Sequence, residues 1–141
     1  MANLVLPTKT IEKLTALKEP EAFKRAVFDM VDVDAIDLPL NRILTAVYLK
    51  YGVSAGGILM PDQKKDEDIW QNKVALVLKV GPTAFVDTPE WNFAGFKVQP
   101  GDWITFKIGN GSQIELFAVP CRIVMDNYVE TRVHDPRVVT S

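Results

Sequence analysis

Pro100-Gly101-Asp102-Trp103-Ile104-Thr105-Phe106-Lys107-Ile108 contains the signals that decide the fold class. Pro-Gly-Asp is turn chemistry, since each residue favours a chain reversal for its own steric or hydrogen-bonding reason. Beyond it, Ile104, Phe106 and Ile108 alternate with Trp103, Thr105 and Lys107, a period of two that belongs to a strand with one face inward and the other outward. The same grammar runs from Pro39 to the end: short β-branched and aromatic runs, punctuated by Gly or Pro. It predicts strands over 42–49, 73–80, 103–108, 114–119, 122–125 and 129–133. The run 42–49 is nearly apolar on both faces and should be covered on both sides. Asn110-Gly111 reads as a hairpin turn. Short strands without helical crossovers favour a small closed barrel, because closure leaves fewer exposed edges.

Before Pro39 the pattern differs. Ile11, Leu14 and Leu17, then Phe23, Ala26, Val27, Met30 and Val31, follow a helical period interrupted at Glu19-Pro20, which predicts two short helices. Pro20 suits the first turn of the second, where its missing N–H costs nothing, and Glu21 with Arg25 forms an i,i+4 pair. The apolar stripe should pack on the domain that follows. Asp29, Asp32, Asp34 and Asp37 lack the spacing of a calcium loop and read as solvated charges. The expected organisation is a helical arm over 1–38 and a β domain over 39–141.

Composition narrows the function classes. Of 141 residues, 48% are apolar and 24% charged, which sets aside disordered and fibrous classes. Sixteen Lys and Arg against eighteen Asp and Glu leave no basic surplus for a nucleic acid or an anionic membrane. The single cysteine, Cys121, and single histidine, His134, exclude an intrachain disulfide, a thiolate zinc cluster and paired-imidazole chemistry. No nucleophile elbow or phosphate loop occurs, so neither an enzyme nor a bound cofactor is expected. The opening stretch from Met1 to Pro7 lacks a basic patch with a following apolar run, and no apolar run approaches membrane-spanning length. The expectation is a cytoplasmic protein with no membrane partner.

Two segments do not read as strands. Residues 82–99 place Phe85, Trp91, Phe93 and Phe96 among Pro and Gly, as a loop whose aromatics cover the end of the barrel or as a projecting hairpin. Residues 51–70 hold Ser54-Ala55-Gly56-Gly57-Ile58-Leu59-Met60-Pro61 before a charged run. Gly56 and Gly57 give maximal backbone freedom, and Ile58, Leu59 and Met60 are large apolar side chains in polar surroundings. Such residues gain by burial, either tucked onto the barrel or held out for a partner, and pattern alone leaves both open.

Several of these stretches, taken in order, resemble the GroES-type co-chaperonins. Pro39-Leu40-Asn41-Arg42-Ile43-Leu44 is similar to the family's first strand, and Ser54-Ala55-Gly56-Gly57-Ile58-Leu59-Met60-Pro61 to its mobile loop. Lys73 to Gly81 resembles the next strand with its terminal glycine, and Val98-Gln99-Pro100-Gly101-Asp102-Trp103-Ile104 the Val-x-x-Gly-Asp-x-Val turn and strand. Ile114-Glu115-Leu116 with Cys121 to Met125 follows the closing hairpin. Each motif is weak alone, and their order and spacing together are specific.

The resemblance implies a GroES-like β-barrel assembling into a heptamer, with residues 42–47 near residues 129–133 of a neighbour. It implies a co-chaperonin that caps a group I chaperonin ring over an unfolded client protein, with Gly56, Gly57, Ile58, Leu59 and Met60 as the partner-binding loop. ATP would be bound and hydrolysed by the partner chaperonin. Residues 82–99 occupy the place of the family's roof hairpin. Ordinary members lack anything like residues 1–38, and bacteriophages encode divergent members. A phage structural or assembly protein reusing the barrel as an interaction module is the alternative.

Overall fold

The computed structural model describes residues 8–17, 19–49, 72–107 and 109–139. Within them the chain is mainly β: two helices, α1 (Thr8–Thr15) and α2 (Pro20–Met30), precede six strands. These are β1 (Arg42–Val47), β2 (Val74–Val80), β3 (Trp103–Phe106), β4 (Ser112–Leu116), β5 (Val119–Met125) and β6 (Val129–Val133). The strands form one antiparallel sheet in the order β4-β5-β1-β2-β3-β6. Among the described residues β4 and β6 do not pair with each other, so the ladder ends at two open edges.

Alternation along the strands divides the apolar residues between the two faces of the sheet. Leu44, Ala46, Leu76, Trp103 and Cys121 lie on one face, sharing a core with Leu14, Phe23, Val27 and Val31 of the helical segment. The helical stripe therefore packs on the sheet, as amphipathicity requires. The other face carries Ile43, Ala75, Val77, Ile104, Phe106 and Val124, with Phe85 and Phe96 packed against it. Burial of β1 on both sides follows, as its composition predicts.

The helix boundaries have local causes. Thr15 Oγ1 donates back to Ile11 O at 2.7 Å, near the end of α1. Pro20 stands in the first turn of α2, where the sequence places it. Glu21 pairs with Lys24 at 3.2 Å rather than with Arg25. Asp32 Oδ1 accepts from Asp34 N at 3.2 Å, capping a 3-10 turn over Val33–Ala35. The Lys79 ammonium on β2 then donates to Ile36 O and, at 2.9 Å, to Val33 O, tying this turn to the sheet.

Three expectations are corrected. Trp103, assigned outward by alternation, is 2% exposed, because that face lies under α2. Asn110-Gly111 does not join a hairpin, since β3 pairs with β2 and β6 while β4 pairs with β5. Gly111 is needed there for another reason: its φ is +87°, and a Cβ would meet Ile123 O at 2.5 Å. The tight hairpin is at Phe117-Ala118, between the paired residues Leu116 and Val119, with φ of 52° and 65°. Both strands of that hairpin are accordingly shifted from the predicted 114–119 and 122–125. β1 has β2 on one edge and β5 on the other.

Candidate functional site

The five residues assigned to partner binding, Gly56, Gly57, Ile58, Leu59 and Met60, lie outside the described residues, as do the flanking residues 50–71. What the structure describes is the stem from which they depart. β1 and β2 are antiparallel, with Val47 opposite Ala75, and the pairing is prolonged by Tyr48 N donating to Val74 O at 3.3 Å. Asn72 then closes the stem. Its Nδ2 donates to Tyr48 O, and its Oδ1 accepts from Val74 N at 3.3 Å, the short Asx turn that Asn favours ahead of a strand. The described chain thus ends at Leu49 and resumes at Asn72 at the same end of the β1–β2 pair.

That point is anchored in aromatic packing. The Tyr48 ring lies edge-on to Phe23 at 5.2 Å and to Trp103 at 5.1 Å, and Phe23 and Trp103 are 6.0 Å apart. Such edge-to-face contacts add to the area these rings bury. The Lys24 ammonium stands 5.8 Å from the Trp103 ring. Burial raises the Tyr48 phenol above its usual pKa, with Asp135 and Glu19 adding to the shift and Arg137 opposing it. One helix, one loop stem and one strand thus meet at the base of the segment that carries the apolar island. Sequence reading found the island but not the clasp. Asn72, two residues ahead of the apolar run that begins at Val74, was the available signal.

The aromatic segment 82–99 is built as a bracket. Gly81 N donates to Arg42 O at 2.8 Å and Thr83 N to Leu40 O at 3.0 Å, holding its start against the entry to β1. A Cβ on Gly81 would sit 2.3 Å from Leu40 O, so only glycine permits this approach. Asp126, nearly buried, accepts from Asn41 Nδ2 at 2.9 Å and from Phe85 N at 2.8 Å, joining three separate segments. Composition had not singled it out, because an isolated acidic residue carries no pattern.

Phe85 then meets Phe93 and Phe96 at 5.3 and 5.9 Å. The Arg132 guanidinium covers Phe96 at 5.2 Å and donates to Lys97 O at 2.8 Å. Phe85 and Phe96 pack against the second face of the sheet, where the expectation had aromatics covering the end of a closed barrel. The segment contains one isolated bridge, Thr88 to Trp91, in place of a regular hairpin. Trp91, at its tip, is half exposed.

The remaining chemical candidates are placed as follows. Cys121 is fully buried, and desolvation pushes its thiol up to about 12, leaving almost no thiolate at neutral pH. His134 is exposed. Asp135 forms an ion pair with Arg137 at 2.8 Å, and that hydrogen bond lowers the carboxyl pKa. Arg137 also reaches Glu19 at 3.6 Å, beside the start of α2. Among the described residues no three His, Cys, Asp or Glu side chains converge. No helix among them is long and apolar enough to cross a membrane. No family model matches the chain, and no curated protein matches it.

Proposed function

We propose that this chain is a co-chaperonin, a cap that closes a group I chaperonin chamber through the segment containing Gly56, Gly57, Ile58, Leu59 and Met60. The observation that carries the reading is the placement of the stem. The apolar island belongs to a segment joining two adjacent antiparallel strands, with its ends clasped at Tyr48 and Asn72 on an aromatic base. Such a base would hold fixed the two points from which a docking segment extends. The order of strands and turns, with the Pro-Gly-Asp reversal before β3 and the β4–β5 hairpin, supports a GroES-like barrel, one left open between β4 and β6 among the described residues.

Each docked side chain would contribute about 1.5–3 kcal/mol before ordering costs are subtracted. Repetition around a ring, sevenfold by the resemblance, would turn weak single contacts into firm and reversible closure. Nucleotide would act on the chaperonin, and the unfolded client would lie inside the chamber. The test is limited proteolysis across residues 51–70, free and with a group I chaperonin plus nucleotide. Cleavage when free, with protection only in the nucleotide-bound mixture, is the expected result. Ile58→Asp should abolish that protection and leave the far-ultraviolet spectrum of the sheet unchanged.

A segment equally cut, or equally resistant, in both mixtures would reject capping and favour a structural or assembly protein. That second reading would have to use the aromatic segment, where Trp91 is half exposed. The helical stripe is already spent on the sheet.

A further inference from the structure

The two edges left open among the described residues are not alike. β6 carries Glu130 and Arg132, and its ladder with β3 is interrupted by a register shift between Thr105 and Phe106. Alternating charges and bulges are common devices by which sheets discourage edge pairing. β4, Ser112-Gln113-Ile114-Glu115-Leu116, has neither Lys nor Pro, and its register with β5 runs unbroken from Ser112–Ile123 to Leu116–Val119. Four of its five residues are exposed, with Ile114 at 36%.

The hairpin fixes which backbone groups β4 presents. A two-residue loop closes on a hydrogen-bonded pair, here Leu116 with Val119, so by alternation Ile114 and Ser112 also turn their backbone groups toward β5. Gln113 and Glu115 then turn theirs outward. Pro120 stands opposite Glu115, and having no N–H it has nothing to donate to β4 at that position, in keeping with this parity.

An antiparallel copy centred on Ile114 matches this edge. Gln113 would exchange both backbone hydrogen bonds with Glu115 of the second copy, and their side chains would lie paired, amide beside carboxylate. Ile114 would meet its own symmetry mate at the close, non-hydrogen-bonded position. Ser112 would stand beside Leu116. Centring on Ile114 keeps the two acidic residues apart and pairs every outward group of the strand.

We propose that β4 is a self-pairing edge, through which two copies of this chain associate about a twofold axis at Ile114. The contact is isologous, so it links subunits in pairs and does not propagate a ring. In a ring assembly it would join one ring to another. The inference stands apart from capping, and its test uses no chaperonin.

Sedimentation equilibrium of the full chain over a wide concentration range should show pairwise association, monomer with dimer or, where the chain forms rings, single ring with paired ring. Gln113→Lys places an ammonium beside Glu115 of the partner copy twice per dimer and should tighten association. Gln113→Glu places like charges there and should weaken it, the two variants differing by roughly tenfold or more in dissociation constant. Both changes are on an exposed strand, and an unchanged circular dichroism spectrum verifies the fold. Ile114→Cys should form an interchain disulfide under mild oxidation much faster than Glu130→Cys on β6. No pairwise association at any concentration, an association indifferent to the charge at 113, or equal crosslinking at 114 and 130 overturns the proposal.

Discussion

Cys121 shows how far burial governs a single residue here. Its thiol lies on the face of the sheet shared with the helices, and desolvation raises its pKa from 9.0 to about 12. The unfolded chain therefore releases this proton first as pH rises. Below about pH 9 both states are protonated and the group leaves stability unchanged; between 9 and 12 only the unfolded state ionises, and stability falls. The limiting slope for one group is about 1.4 kcal/mol per pH unit. Urea titrations across that window should show the decline, and Cys121→Ala should flatten it without removing the contribution of Tyr48, whose phenol is shifted in the same direction. That Cys121 would be buried was legible from its strand-like neighbours. Asp126 and Asn72 were not, because their partners, Asn41 and Phe85 for one and Tyr48 for the other, are distant in sequence.

At the level of elements, the β4–β5 hairpin departs from turn chemistry. Its central residues, Phe117 and Ala118, hold positive φ, a conformation favouring Asn and Gly. Side chains with a Cβ are strained there by about 1–2 kcal/mol each. Replacing the pair by Phe117→Asn with Ala118→Gly should therefore stabilise the chain by ~1–3 kcal/mol, read as a rise in thermal midpoint. All six strands were foreseeable from short β-branched and aromatic runs bounded by turn residues, and only their ends moved. The Asn110-Gly111 reading failed because a strong turn dipeptide specifies local backbone and says nothing about which strands it connects. Register with β5, where Gly111 approaches Ile123 O, was the competing demand.

Over the whole molecule, the decisive contact is between the helical segment and the sheet. Phe23, Val27 and Val31 are buried against the face bearing Tyr48 and Trp103. Phe23→Ala should cost about 3–5 kcal/mol, measured by urea unfolding followed by tryptophan fluorescence. Deleting residues 1–38 should do more, exposing the aromatic base of the stem, binding hydrophobic dyes and losing a cooperative transition. Native-like unfolding of the truncated chain would show that the sheet does not need this cover. The sequence by itself determined the mainly β class, the two helices, the strand positions and the amphipathic stripe, because periodicity and turn residues act over a few neighbours. Only the tertiary structure decided that Trp103 faces inward, that β1 is enclosed on both edges, that Asp126 ties three segments together and that, among the described residues, the ladder ends at β4 and β6. Those outcomes depend on which distant surfaces meet, and burial of apolar area has no direction along the chain to announce its partner beforehand.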